Sequence, residues 1–349
     1  METARGESTR LECAPLAAGT SLHRRYTVRR VLLRDAFSVL YDAFDCRAHQ
    51  PVVVEEFFPT AIAARATGAT AVSPRDREAG ELFFCGSEAF LRQYGVLTQA
   101  IGSPNILSVF EAFFENGTAY ALTEPLDGVT LTDYLELRGR TLDSGELVYI
   151  LRAIADALLV VHSLNTLHHG ITGDTILLGT DGTVKLARFC AGRATVERRR
   201  AVDDTAVWAD IRALGAALYR AYTGRAPDGV RLGPGTPASI ASALTAMLSD
   251  NPAERCETVF DLRYLAYGIE VAPVCPAVTL GEIGAFRRAR QRKNVAVSDA
   301  GVRESPKDGA AREAENRHAS PAGLRVACGI GVVLAALLGV LIWALTKRG

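Results

Sequence analysis

Few residues in this chain have types and spacing suited to chemistry. His168 and His169 are adjacent and put two imidazoles in one loop. No further Cys or His cluster supports them, so no metal site is expected. The seven cysteines, Cys13, Cys46, Cys85, Cys190, Cys256, Cys275 and Cys328, are odd in number, scattered and without C-x-x-C spacing. That pattern fits neither a disulfide framework nor a zinc knuckle, and suits a reducing compartment. Arg198, Arg199 and Arg200 form a cationic triplet where a phosphorylated peptide could dock, although an exposed charged loop explains them as well. Arg287 to Lys293 carry five cations in seven residues, suited to anionic lipid headgroups or to a solvated linker.

The chain around these residues has 349 positions, 48% apolar and 22% charged, which excludes a disordered or collagen-like polymer. Lys plus Arg and Asp plus Glu both number 39, so no global field recruits nucleic acid. The opening METARGESTRLECAPLAAGT mixes acids with arginines and has no apolar core, so it is not a secretory signal. Val326 to Leu345, VACGIGVVLAALLGVLIWAL, has no charge and as a helix would extend about 30 Å, the hydrocarbon thickness of a bilayer. Arg325, Lys347 and Arg348 bracket it, Trp343 lies near one interface, and Gly331, Ala335 and Gly339 provide a small-residue seam for self-association. With only Thr346 to Gly349 beyond it, the functional part is expected upstream, facing the cytoplasm.

The expected organisation is a flexible tail over 1–22, a folded domain over 23–270, a charged, proline-containing tether over 271–324, a transmembrane helix over 325–346 and a short tail over 347–349. Within the folded part, RRYTVRRVLL, FSVLYDAFD, PVVVEEFFP, ILSVFEAFF and TAYALTE read as strands of one sheet. A helix carrying Phe83, Phe84, Phe90, Leu91 and Leu97 interrupts them. After Gly128 the period changes. Ser144 to Leu164 carry Leu147, Ile150, Leu151, Ile154, Leu158 and Val161 at helical spacing, TILLGTDGTVKLARF reads as a hairpin around Asp181 and Gly182, and a helix from Ala209 ends at Gly224.

These pieces, in this order, resemble the protein kinase fold, specifically bacterial eukaryotic-like Ser/Thr kinases, from about Tyr26 to Ile269. PVVVEEFFP is similar to the V-A-I-K-E-x-x-P strand. SPNILSVFEAFFENGTAYALTEPLDGVTLTDYL resembles the segment running through the hinge to the first helix of the C lobe. VHSLNTLHHGITGDTILL stands at the catalytic loop, DGTVKLARFCA at the metal-binding segment, DIRALGAALYRAYTGRAP at the D-x-x-x-x-G helix and NPAERCETVFDL at the closing D-P-x-x-R pattern. The resemblance implies an α+β, bilobal, protein-kinase-like fold with a β-rich N lobe and an α-rich C lobe, followed by the transmembrane helix.

Phosphoryl transfer relies on charge placement: a lysine on the phosphates, an Asp and an Asn on magnesium, an Asp at the attacking hydroxyl and a glycine-rich cover. Against the family pattern, the lysine becomes Glu55, the catalytic Asp becomes Gly170, the Lys after it Thr172 and the metal-binding Asn Thr175. The D-F-G Asp becomes Arg188 and its Gly becomes Cys190. Leu33, Asp35 and Ser38 stand where glycines are expected. The glutamate of the first helix falls on Gln93 or Tyr94, neither acidic, and Asp174 is not in the register of a base. His168, Phe189, Asp210 and Arg255 match positions whose family role is architectural.

Because the charges at Glu55 and Arg188 are exchanged relative to a working kinase, these two residues are expected to pair directly. The resulting expectation is a membrane-anchored pseudokinase without cofactor, acting as a scaffold or regulatory module on protein partners at the membrane. The alternatives are an atypical Ser/Thr kinase with displaced catalytic groups, or a metal-independent nucleotide sensor holding adenine at Glu124, Pro125 and Leu126.

Overall fold

The structure is a computed structural model that describes residues 11–197 and 207–289. The elements follow in chain order as β1 (Leu11–Glu12), β2 (Ser21–Leu22), β3 (Tyr26–Arg34), β4 (Ser38–Asp45), β5 (Gln50–Phe57), β6 (Ala63–Ala66), β7 (Ser73–Pro74), α1 (Arg77–Leu97), β8 (Val109–Glu115), β9 (Thr118–Thr123), β10 (Gly128–Thr130), α2 (Leu131–Arg138), α3 (Ser144–Ser163), β11 (Ile176–Gly179), β12 (Val184–Leu186), α4 (Ala191–Val196), α5 (Val207–Thr223), α6 (Ala238–Leu248) and α7 (Val259–Gly268).

The five strands read from alternation pair antiparallel in one six-stranded sheet ordered β2-β3-β4-β5-β9-β8. α1 crosses this sheet, started by Asp76, whose carboxylate accepts from the Ala79 amide. Its buried side includes Phe83, Phe90, Tyr94 and Leu97, whereas Phe84 faces outward and is 58% exposed. The apolar stripe is therefore narrower than the run of hydrophobic residues suggests.

In the second lobe, the six apolar residues expected on one face of α3 are all buried. An Asp143–Glu146 capping box starts that helix. The Asp181–Gly182 turn joins β11 to β12, with Gly182 at φ 85°, and α5 ends at Gly224, φ 73°, in the left-handed conformation that glycine adopts without strain.

The tail expected over 1–22 is packed on the domain from residue 11 onward, with β2 in the main sheet and Leu16 and Leu22 buried, because those two leucines fill the core beneath it. Two further features depart from the expected organisation. A small sheet, β1-β6-β7, follows β5, and its Arg65 is fully buried. Successive residues of a strand point to opposite faces, so Glu55 and Glu56 serve different sites. Glu56 turns away from the cleft and accepts from Arg65, from Tyr41 at 2.7 Å and from Tyr120 at 2.6 Å. Second, residues 271–289, assigned to the tether by their prolines and charges, are packed on the domain. Val278 and Ile283 are buried, the Val274 amide donates to Gly145 O at 3.0 Å, and residues 280–289 are helical.

Among the described residues no helix is long and apolar enough to cross a membrane. The run Val326 to Leu345, the rest of the tether, the 1–10 part of the tail and Arg198 to Arg200 lie outside the described residues.

Removing one partner of a buried ion pair leaves an uncompensated charge, at about 3–5 kcal/mol. Arg65→Met is expected to lower the unfolding free energy in urea by about that amount. A loss below about 1 kcal/mol would mean that the tyrosine hydroxyls alone satisfy Glu56.

Candidate functional site

Between the lobes lies a cleft of about 1010 Å³, bounded by the β3–β4 turn, β5, the chain after β9, β10, the 170–177 loop, the 188–193 segment, Phe286 and Arg287. Its geometry is set by buried Asp210 on α5. One carboxylate oxygen accepts from the His168 amide at 2.7 Å and from His162 Nε2 at 3.0 Å, the other from the His169 amide at 3.0 Å. Burial pushes this carboxyl up, but the His162 hydrogen bond and the neighbouring donors hold it below its ordinary value. The bracing bears on His169, which sits in the left-handed region at φ 66°, as Arg188 does at φ 60°, a conformation that non-glycine residues adopt at a cost of about 1–2 kcal/mol each.

His168 is fully buried, and burial lowers its pKa toward the neutral imidazole. Its Nε2 bonds Ala187 O at 3.0 Å, and its ring lies 4.6 Å from that of Phe189. Phe189 in turn meets Tyr94 edge-on at 6.4 Å. His168, Phe189 and Asp210, the residues expected to be architectural, make these contacts. Arg255 is used locally, bonding Glu257 at 2.9 Å and stacking over Trp208 at 4.5 Å.

The charged centre of the cleft differs from the expected pairing. Glu55 and Arg188 do not form a direct ion pair. The carboxylate of Glu55 accepts from the Tyr94 hydroxyl at 2.5 Å and from Ser38, while Arg188 forms its ion pair with Asp35 and reaches Ser38 Oγ at 3.5 Å. The reason lies in the β3–β4 turn. Asp35 Oδ1 accepts from the Phe37 and Ser38 amides at 2.7 and 2.8 Å, folding the turn inward and aiming Oδ2 at the guanidinium. Tyr94 on α1 meanwhile takes Glu55. Charge exchange has thus produced a chain of contacts, Asp35–Arg188–Ser38–Glu55–Tyr94. Burial opposes the charge on Arg188, but Glu55 and Asp35 together raise its pKa and keep it a cation.

Neighbouring contacts close the same region. The Arg193 guanidinium on α4 lies 4.8 Å from the ring centre of Phe37, so the turn is held to the second lobe twice. α4 was not expected from sequence. It packs against α1 at Gly86 and Gly192, where a Cβ on Gly192 would lie 2.9 Å from Gly86 O.

Gln93 spans two backbone groups, donating to Leu167 O at 2.5 Å and accepting from the Ala191 amide at 2.8 Å. Of the two residues proposed for the first-helix register, Tyr94 therefore faces Glu55. In the loop below, Thr172 and Thr175 bond each other, Asp174 is exposed, and a Cβ on Gly170 would come within 3.0 Å of Cys190 Sγ. Burial pushes the Cys190 thiol up to about 12, which disfavours the thiolate. At the hinge, Glu124 Oε1 accepts from Lys185 at 2.6 Å and from the Ser108 amide at 2.8 Å, and Leu126 lines the cleft.

A family model described as protein tyrosine and serine/threonine kinase matches residues 85–212. The apo form of PpkA-294 is similar in structure, with a TM-score of 0.63 at 21% identity over 72% of this chain and 99% of that one. The kinase domain of PknI from Mycobacterium tuberculosis gives 0.53 at 22% identity, over 73% and 97%. The fold is protein-kinase-like.

A magnesium-bound triphosphate is what such a cleft holds in a working kinase, and the residues here do not fit one. The turn amides that would face phosphate oxygens are bonded to Asp35, a guanidinium occupies the magnesium register, and a carboxylate replaces the phosphate-binding lysine. Asp35 was read from sequence only as a missing glycine. Its place two and three residues before the amides it caps was the available signal.

Burial holds the Glu55 carboxyl above its ordinary value of 4.5, so the folded state retains a proton that the unfolded chain releases. The stability this group contributes is full below that ordinary value and is lost as pH rises through the raised one. Glu55→Gln, permanently neutral, is expected to gain stability relative to the native chain as pH rises above the ordinary value of 4.5, read from urea midpoints. A difference that stays constant as pH rises would contradict this assignment.

Proposed function

We propose that this protein is a pseudokinase: a kinase-fold scaffold or regulatory interaction module that does not transfer phosphate and is anchored to a membrane through Val326 to Leu345. The observation that carries the reading is the bonding of Asp35, whose carboxylate occupies two turn amides and neutralises Arg188 at once. A kinase needs those amides for phosphate and a carboxylate, not a cation, at residue 188. Retention of the bracing around Asp210 supports a role for the shape without the chemistry, because that bracing holds His169 in a left-handed conformation. The membrane anchor and the protein partners rest on the sequence: an uncharged run of bilayer length, and a net charge of zero that offers no pull on nucleic acid. Confinement to a membrane raises the effective concentration of such a module toward partners in the same plane.

Thermal unfolding of the detergent-extracted full chain, with ATP in the presence and absence of magnesium, tests the reading. A ligand at about a hundred times its dissociation constant stabilises a folded protein by about 2.7 kcal/mol, a readily measured shift. No shift in either condition is expected. A shift without magnesium would indicate a nucleotide sensor, and one that requires magnesium would support an atypical kinase.

A further inference from the structure

The prolines and charges after Ile269 read as the start of a tether, yet the chain turns back to the cleft. Thr279 and Glu282 form a reciprocal cap, with the Thr279 amide donating to Glu282 Oε2 at 2.9 Å and the Glu282 amide donating to Thr279 Oγ1 at 3.3 Å. This starts a helical segment exactly where the path must bend toward the hinge, and buried Val278 and Ile283 seat it on the second lobe. Arg138, the last residue of α2, fastens it by pairing with Glu282 at 2.8 Å and donating to Ala277 O. At the far end, Phe286 and Arg287 line the cleft, and Arg287 donates to Gly128 O at 3.0 Å. Gly128 lies two residues after the hinge and pairs with β11, and a Cβ there would lie 2.3 Å from Leu178 O, so the backbone that receives Arg287 cannot shift without disturbing β11.

We propose that residues 279–289 form a displaceable strap that closes the hinge end of the cleft. Its fastenings differ from those that hold the lobes. The Arg138–Glu282 pair is 27% and 37% exposed, whereas Glu56 and Arg65 are fully buried, so water and salt weaken the first and not the second. The strap releases without unfolding the domain. The inference goes beyond the proposed function: it concerns access to the cleft and stands whether or not the cleft transfers phosphate.

The test uses no nucleotide, so its failure is distinct from failure of the pseudokinase reading. Leu177, half-buried on the cleft floor, is replaced in the full-length, detergent-extracted chain as Leu177→Cys. Alkylation at that position by iodoacetamide is followed by peptide mass spectrometry. Adding Phe286→Ala and Arg287→Ala is expected to speed the reaction at least about tenfold, the strap no longer covering the opening. An unchanged rate overturns the proposal. Hydrogen exchange of the native chain is the second measurement, should the combined variant fail to fold. Amides of residues 280–289 protected at low salt and losing protection at high salt, with β4 and β5 unchanged, support the strap. Exchange at the rate of an unstructured peptide under both conditions overturns it.

Discussion

The contact on which the cleft depends is the ion pair between Asp35 and Arg188. It joins the turn of one lobe to the segment after β12 in the other, and the same carboxylate that neutralises the guanidinium also bonds two amides of its own turn. In a kinase that turn and that segment are held together through a metal and a triphosphate. Here protein groups make the connection. Ser38 extends it to Glu55, and Tyr94 extends it to α1, so four elements meet through side chains. Asp35 compensates the charge of Arg188 without an added ion, whereas burial drives Glu55 toward its neutral acid against the pull of the same guanidinium.

The remaining structure follows from keeping this arrangement in place. Asp210 holds the loop containing His168 and His169, and the ring contacts from His168 through Phe189 to Tyr94 carry that position across to α1. Arg193 over Phe37 adds a second link between turn and C lobe, and the glycine contact of α1 with α4 allows that link to form. Under the proposed function, a cleft whose lobes are linked by their own side chains presents its surface to a partner with no need of a bound ligand to set the angle between its lobes.

Much of this was legible in the sequence because it rests on periodicity. The alternating strands, the stripe on α3 and the Asp181–Gly182 turn are local patterns with one physical solution each. The exchange of charges at Glu55 and Arg188 was also legible, but its outcome was not. Direct pairing was the simpler expectation, and it fails because each residue has a nearer claimant, Tyr94 for one and Asp35 for the other. Such competition is decided by distances that only the fold fixes. The small sheet containing Arg65 was hidden in an alanine-rich stretch, and α4 in six residues without an apolar stripe. The segment after Ile269 carried a readable signal, the T-x-x-E cap at Thr279 and Glu282, which its charge content obscured.

The central claim is that this cleft has no place for a divalent ion with a triphosphate. Electron paramagnetic resonance of Mn²⁺ with ATP, recorded with and without the full-length chain in detergent, addresses it directly, because the signal of the free complex broadens when a macromolecule holds the ion. The account predicts identical spectra at every protein concentration. A saturable, protein-dependent loss of the free signal that requires both Mn²⁺ and ATP would contradict it.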